Sequence, residues 1–101
     1  MRPNRIRHMV IFCLHYEKGS LEAKKFLQDG QRILSEIPGV EEFEVFNQVS
    51  KKNDYDYGFS MDFANQAAYT AYNEHAIHVD FVEQRWKKEV SRFLEIDFQG
   101  V

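Results

Sequence analysis

Tyr55-Asp56-Tyr57-Gly58-Phe59-Ser60-Met61-Asp62-Phe63 is the stretch that decides the fold class. Large apolar or aromatic side chains hold every second position, and small or polar ones fill the gaps. Successive side chains of a strand point to opposite faces, so a period of two marks a strand with one buried face. Upstream, the polar residues 50–54 read as a hairpin loop. Residues 42–49 form the paired strand, with Phe43, Val45 and Val49 alternating against Glu42, Glu44 and Gln48. Further upstream, residues 6–15 are rich in β-branched and aromatic side chains on both parities. Ile6, His8, Val10, Phe12 and Leu14 share one face, and Met9, Ile11 and Cys13 the other. A strand apolar on both faces should be covered on both. Between these strands, apolar residues recur at helical spacing over 21–37, with Ser20 as N-cap and Pro38-Gly39 as the stop. Downstream, Asn65 caps a short helix to about residue 72, a second helical segment covers about 77–90, and residues 93–98 form a last strand. Leu94, Ile96 and Phe98 are expected on its inner parity.

The order is βαββαβ with the second helix broken near residues 73–76. This α+β pattern is ferredoxin-like: a four-stranded antiparallel sheet carrying its helices on one face. The expected helix-facing set is Val10, Phe12, Phe43, Val45, Phe59, Met61, Leu94 and Ile96. Met9, Ile11, Cys13 and Phe46 remain on the opposite face. A monomer would expose that patch, so a homodimer joined sheet to sheet is expected.

Composition narrows the functional classes. The 101 residues suit one domain over 1–101, and nine Phe, five Tyr and one Trp supply the bulk that a small core needs. A net charge of −3 does not favour nucleic acid or an anionic membrane surface. Cys13, the one cysteine, cannot form an internal disulfide or a zinc cluster. The apolar run from Met9 to Leu14 is too short for a signal peptide or a membrane span, which makes a cytoplasmic protein the default expectation.

Several motifs carry a family resemblance. Ile6-Arg7-His8-Met9-Val10, Ile37-Pro38-Gly39-Val40, Tyr55-Asp56-Tyr57, Tyr72-Asn73-Glu74-His75-Ala76-Ile77-His78-Val79 and Ile96-Asp97-Phe98 occur in the order seen in the stress-responsive dimeric α/β-barrel family. The chain resembles that family over essentially its whole length. The resemblance implies two ferredoxin-like sheets closing a barrel across a dimer. Some members resemble polyketide cyclases, in which a Tyr and a His of the helix-break segment and a His of the first strand line a pocket under the helices. Those positions match Tyr72, His78 and His8. Two positions depart from the pattern: Ala76 stands where the break usually has Pro, and Gly30 where cyclase-like members carry a bulky ring.

The residues support a chemical reading of their own. Tyr72 and His78 would diverge on one continuous helix, and a break between them can bring them together. Histidine can act as a general base near neutrality, and a tyrosine hydroxyl can donate to a developing oxyanion. His8 has the parity of the helix-covered face and can join them from below. Phe12, Tyr57, Phe59 and Met61 are the expected apolar lining, suited to a small phenolic or polyketide-like ligand. A cofactor-free lyase or cyclase with His78, Tyr72 and His8 as catalytic residues is one reading. A structural stress protein without ligand, with His78 and Tyr72 satisfied in the core, is a second, and the leading reading is a homodimer whose hydrophobic pocket binds such a ligand. His75 and His78 lie three apart, but two histidines alone make a weak metal signal.

Overall fold

In the computed structural model, which describes residues 2–101, four strands carry the chain: β1 (Ile6–Leu14), β2 (Glu41–Asn47), β3 (Tyr57–Phe63) and β4 (Val90–Phe98). They form one antiparallel sheet of order β2-β3-β1-β4, which places the doubly apolar β1 inside and β4 at an edge. Helix α1 (Leu21–Leu34) begins where the Ser20 hydroxyl accepts the Ala23 N–H at 3.2 Å. Helix α2 (Gln66–Glu74) begins where Asn65 Oδ1 accepts the Ala68 N–H at 2.9 Å. Helix α3 (Ala76–Phe81) follows and widens into a π turn (Val82–Trp86), and α4 (Lys87–Glu89) closes the segment. No helix among the described residues is long and apolar enough to cross a membrane.

Element ends differ from expectation where backbone groups find other partners. Helix α1 stops at Leu34, and a turn carries the chain to Gly39 at φ +91°, a conformation glycine adopts without a Cβ penalty. Strand β3 starts at Tyr57, preceded by Asp56, whose N–H bonds the Phe12 carbonyl at 3.2 Å and whose carbonyl accepts the Gln48 N–H at 2.8 Å. Strand β4 begins at Val90, where α4 ends and the His15 N–H bonds the Glu89 carbonyl at 2.8 Å.

The alternation of β1 and β3 is kept in three dimensions. His8, Val10 and Phe12 lie opposite Met61, Phe59 and Tyr57, and all six are buried beneath the helices. At the centre, the Phe12 ring lies 4.9 Å from Phe59, 4.9 Å from Trp86 and 5.9 Å from Phe26, with tilted or edge-on geometry. Such aromatic pairs contribute about 0.5–1.5 kcal/mol each beyond their buried area. Phe43 and Val45 of β2 pack against the margin of this core.

Strand β4 reverses the expected parity. Met9 pairs with Ile96, Ile11 with Leu94 and Arg7 with Phe98, so Leu94, Ile96 and Phe98 lie on the open face with Met9 and Ile11. The helix side instead receives Phe93, Glu95 and Asp97, opposite Phe12, Val10 and His8. Strand pairing transmits the facing of β1 directly to its neighbour. The more apolar face of β4 was expected under the helices, and the register turns it outward.

Two features hold the helical layer in place. Gly30 sits on α1 where a Cβ would lie 2.7 Å from Phe59 Cζ, so the absence of a side chain is a packing requirement of that ring. The Asp29 carboxylate, nearly buried, accepts from Arg85 at 2.9 Å, Lys25 at 3.1 Å and Arg32 at 3.4 Å. Arg85 also pairs with Glu89, which accepts the Tyr16 hydroxyl at 2.8 Å, so α1, the π turn and α4 are tied together. Arg85 foremost, with Lys25 and Arg32, holds the Asp29 carboxyl down to about 2 against the opposing effect of burial.

Gly30→Ala should lower the thermal midpoint despite its better helix propensity of about 1 kcal/mol, because overpacking costs about 1–3 kcal/mol. An unchanged or raised midpoint in a melting scan would contradict the packing requirement. Asp29→Asn should cost about 1–2 kcal/mol at neutral pH, measured by urea unfolding. The native carboxyl titrates below its unfolded value of about 3.9, so its contribution is complete above that pH and fades as pH falls towards 2. The gap between wild type and variant should therefore close over that acid range, and a constant gap would exclude the ion-pair account.

Candidate functional site

A cavity of about 230 Å³ lies between the helix-facing side of the sheet and the α3–π-turn segment. His8, Val10, Phe59 and Met61 form its floor, Phe81, Val82 and Trp86 its roof, and Leu34 and Phe93 flank it. Tyr72, His78 and Glu95 complete the lining and, with His8, provide its polar groups. Phe59 and Met61 take the expected positions, but Phe12 and Tyr57 do not line the cavity. Phe12 is enclosed in the aromatic core, and the Tyr57 hydroxyl accepts the Gly19 N–H at 2.9 Å beyond the cavity.

The helix break brings Tyr72 and His78 together. Helix α2 ends at Glu74, and His75 takes an extended conformation with φ −65° and ψ 138°. The His75 N–H bonds the Tyr72 carbonyl at 3.2 Å, while its Nδ1 accepts the Ile77 N–H at 3.1 Å and starts α3. His75 is thus the hinge that ends one helix and caps the next. Across the turn the Tyr72 and His78 rings are 4.5 Å apart, inclined by 52°. His8 approaches from β1, with its ring 6.4 Å from that of Tyr72. All three residues singled out from the sequence therefore meet at one cavity.

Hydrogen bonding sets the chemical state of each group. His78 Nδ1 lies 3.1 Å from the Asn73 carbonyl oxygen, which can only accept, so Nδ1 carries the hydrogen and Nε2 keeps its lone pair. Burial foremost pushes His78 below the ordinary imidazole range, and the Asn73 bond opposes it. The neutral base is thereby favoured. Tyr72 is 2% exposed, and burial foremost pushes its phenol upwards, so the hydroxyl keeps its proton. That hydroxyl has no hydrogen-bonding partner among the described residues. No fully buried side-chain polar atom among them is left unpaired, so the Tyr72 oxygen opens to the cavity and is not sealed in protein.

A second polar cluster was not read from the sequence. His8 Nδ1 lies 2.6 Å from Asp97 Oδ1, and the Tyr69 hydroxyl lies 3.0 Å from the same nitrogen and 3.2 Å from the same carboxylate oxygen. Glu95 Oε1 stands 4.0 Å from His8 Nε2. Tyr69 precedes Tyr72 by three residues and shares its helix face, a spacing visible in the sequence. Asp97 and Glu95 were hidden because their parity on β4 read as the solvent face.

With these groups the site can accept a hydrogen or a proton at His78 Nε2 and donate one from Tyr72 to an oxygen beside it. Most of the remaining wall is apolar and aromatic, which lowers the local polarity around both groups.

The comparisons with known proteins agree with this architecture. The chain is similar to a ferredoxin-like protein of Mesorhizobium loti, at 54% identity over 97% of this chain and 98% of that one, with a TM-score of 0.95. It shares its fold with a hydroxynitrile lyase from Passiflora edulis, at 10% identity, 98% and 95% coverage and a TM-score of 0.82. It also shares its fold with a dimeric ferredoxin-like protein from Thermobifida fusca, at 14% identity, 96% and 92% coverage and a TM-score of 0.76. No curated protein matches the chain. Residues 6–99 match the model of the stress responsive A/B barrel domain, and the chain belongs to that family.

Proposed function

We propose that the cavity binds a small organic compound with one ring or a short chain bearing a carbonyl or phenolic oxygen, and that His78 and Tyr72 perform acid–base chemistry on it. The observation that carries this reading is the pair of unspent polar atoms, Tyr72 Oη and His78 Nε2, on one apolar cavity. Its size sets the ligand. Apolar cavities of about 150 Å³ admit benzene, whereas pockets for drug-sized molecules span roughly 300–1,000 Å³. A volume of about 230 Å³ lies between them.

In the reaction this geometry supports, His78 Nε2 removes a proton from a carbon beside the ligand carbonyl and becomes imidazolium. The Tyr72 O–H donates to the carbonyl oxygen as negative charge gathers there. The enolate carbon then attacks a second carbonyl of the same ligand, forming the new carbon–carbon bond, and His78 gives its proton to the alkoxide left there, which completes an aldol-type cyclase step without a cofactor. That a hydroxynitrile lyase uses the same fold supports chemistry of this kind, although its substrate does not transfer at 10% identity.

The functional unit in this reading is a homodimer joined through the open face of the sheet. Phe46, Leu94, Ile96 and Phe98 are 39–50% exposed there and adjoin Met9, Ile11 and Cys13. A continuous apolar surface of this kind favours association with a second sheet. Three neighbours of the same fold are described as dimeric, which supports association of two copies.

Phenol, benzaldehyde and acetophenone, titrated calorimetrically, should bind the wild type. Tyr72→Phe should weaken binding of all three, and His78→Ala binding of phenol, whose O–H can donate to Nε2, each about three- to tenfold, the value of one hydrogen bond. Phenol affinity should hold from mildly alkaline pH down to the ordinary imidazole range and fall below it, once His78 Nε2 is protonated. Equal binding by wild type and both variants would remove the assignment. Sedimentation equilibrium at micromolar concentration should give about twice the 12.0 kDa chain mass for the wild type and the single mass for Ile96→Lys. A monomeric wild type would rule out the sheet-to-sheet dimer.

A further inference from the structure

His8 is held from behind. It is 5% exposed, and its direct cross-strand partner is Asp97, with Nδ1 and Oδ1 separated by 2.6 Å. A carboxylate only accepts, so Nδ1 must carry a hydrogen. The Tyr69 hydroxyl, 3.2 Å from the same Oδ1, donates to it and leaves its own oxygen 3.0 Å from Nδ1, where it shares that hydrogen. Both contacts fall on one side of the imidazole. The other nitrogen, Nε2, has no hydrogen-bonding partner among the described residues. The nearest charged group is Glu95 Oε1 at 4.0 Å, too far for a direct hydrogen bond.

We propose that Asp97, assisted by Tyr69, is a positioning residue that fixes His8 as the Nδ1–H tautomer, so that its Nε2 lone pair receives a hydroxyl of the bound ligand. This rests on the cavity being the binding site and narrows the class of compound it takes. His8 Nε2 is an acceptor, and a ligand hydroxyl can give its one hydrogen to that nitrogen while the exposed Glu95 carboxylate is met by solvent. The Tyr72 hydroxyl, by contrast, offers a donor. The ligand that satisfies Tyr72 and His8 carries an acceptor oxygen for the first and a separate hydroxyl donor for the second. A ring bearing both a carbonyl and a hydroxyl has that chemistry. Asp97 itself touches no ligand and acts only through the imidazole, as the carboxylate partner of a catalytic histidine does when it sets tautomer and orientation.

Two measurements test this on the full chain. Long-range proton–nitrogen correlation spectra of the ¹⁵N-labelled protein at neutral pH should show His8 protonated at Nδ1 and bare at Nε2, before any ligand is added. Asp97→Asn should move the hydrogen to Nε2 in part or in full, since the carboxamide can present its NH₂ to Nδ1. Tyr69→Phe keeps the ring and removes one donor to Asp97; it serves if Asp97→Asn does not fold, and it should broaden or shift the same signals. Calorimetry then compares benzaldehyde with the three hydroxybenzaldehyde isomers. At least one isomer should bind the wild type about three- to tenfold more tightly than benzaldehyde, and Asp97→Asn should abolish that advantage while still binding benzaldehyde. A wild-type His8 that is protonated at Nε2, alone or at both nitrogens, overturns the proposal. So does a hydroxyl advantage that is absent, or that survives in Asp97→Asn. Failure of benzaldehyde to bind, or binding indifferent to Tyr72→Phe, would count against the cavity assignment instead, and the tautomer result stands apart from it.

Discussion

The register of β4 on β1 is the constraint on which the site depends. Opposed residues of an antiparallel pair share a face, so the pairing of His8 with Asp97 and Val10 with Glu95 carries two carboxylates to the helix-covered side. The same pairing sends Leu94, Ile96 and Phe98 to the open side. A slip of one residue would exchange these sets, removing the partner of His8 and placing apolar side chains at the cavity. The register is closed at one end by Leu14 and Val90, where the last helical turn passes directly into the strand.

Against that sheet, the helical layer is shaped more by its interruptions than by its regular turns. The extended backbone of His75 redirects the chain so that residues six apart meet, and the imidazole of His75 is consumed in capping the next helix. The π turn that follows places Val82 and Trp86 over the cavity, and π turns recur at functional sites for such a reason. Arg85, inside that turn, anchors it to Asp29 on α1. Gly30 lets the Phe59 ring press against α1, which fixes one wall of the cavity from behind. The cavity survives because its walls are pinned by separate contacts.

Much of this was legible in the chain. The period of two in β1 and β3, the caps Ser20 and Asn65, and the break after Tyr72 each rest on local rules, and local rules can be read from neighbouring residues. The trio His8, Tyr72 and His78 came from the family resemblance, and parity and that break agree with it. Asp97, Glu95 and Tyr69 did not, and the reason is specific. On an edge strand whose alternate residues are Leu94, Ile96 and Phe98, the acidic residues between them look solvent-facing, and half of that inference is true: Asp97 and Glu95 do retain substantial exposure.

The sequence by itself determined the elements, their order, the ferredoxin-like class and the facing of the central strands, because burial periodicity is a property of consecutive residues. Only the tertiary structure decided which face of β4 meets the helices, which nitrogen of each histidine opens to the cavity, and how large that cavity is. Those depend on pairing between distant residues, 89 positions apart for His8 and Asp97, and no local pattern encodes the register of such a pair.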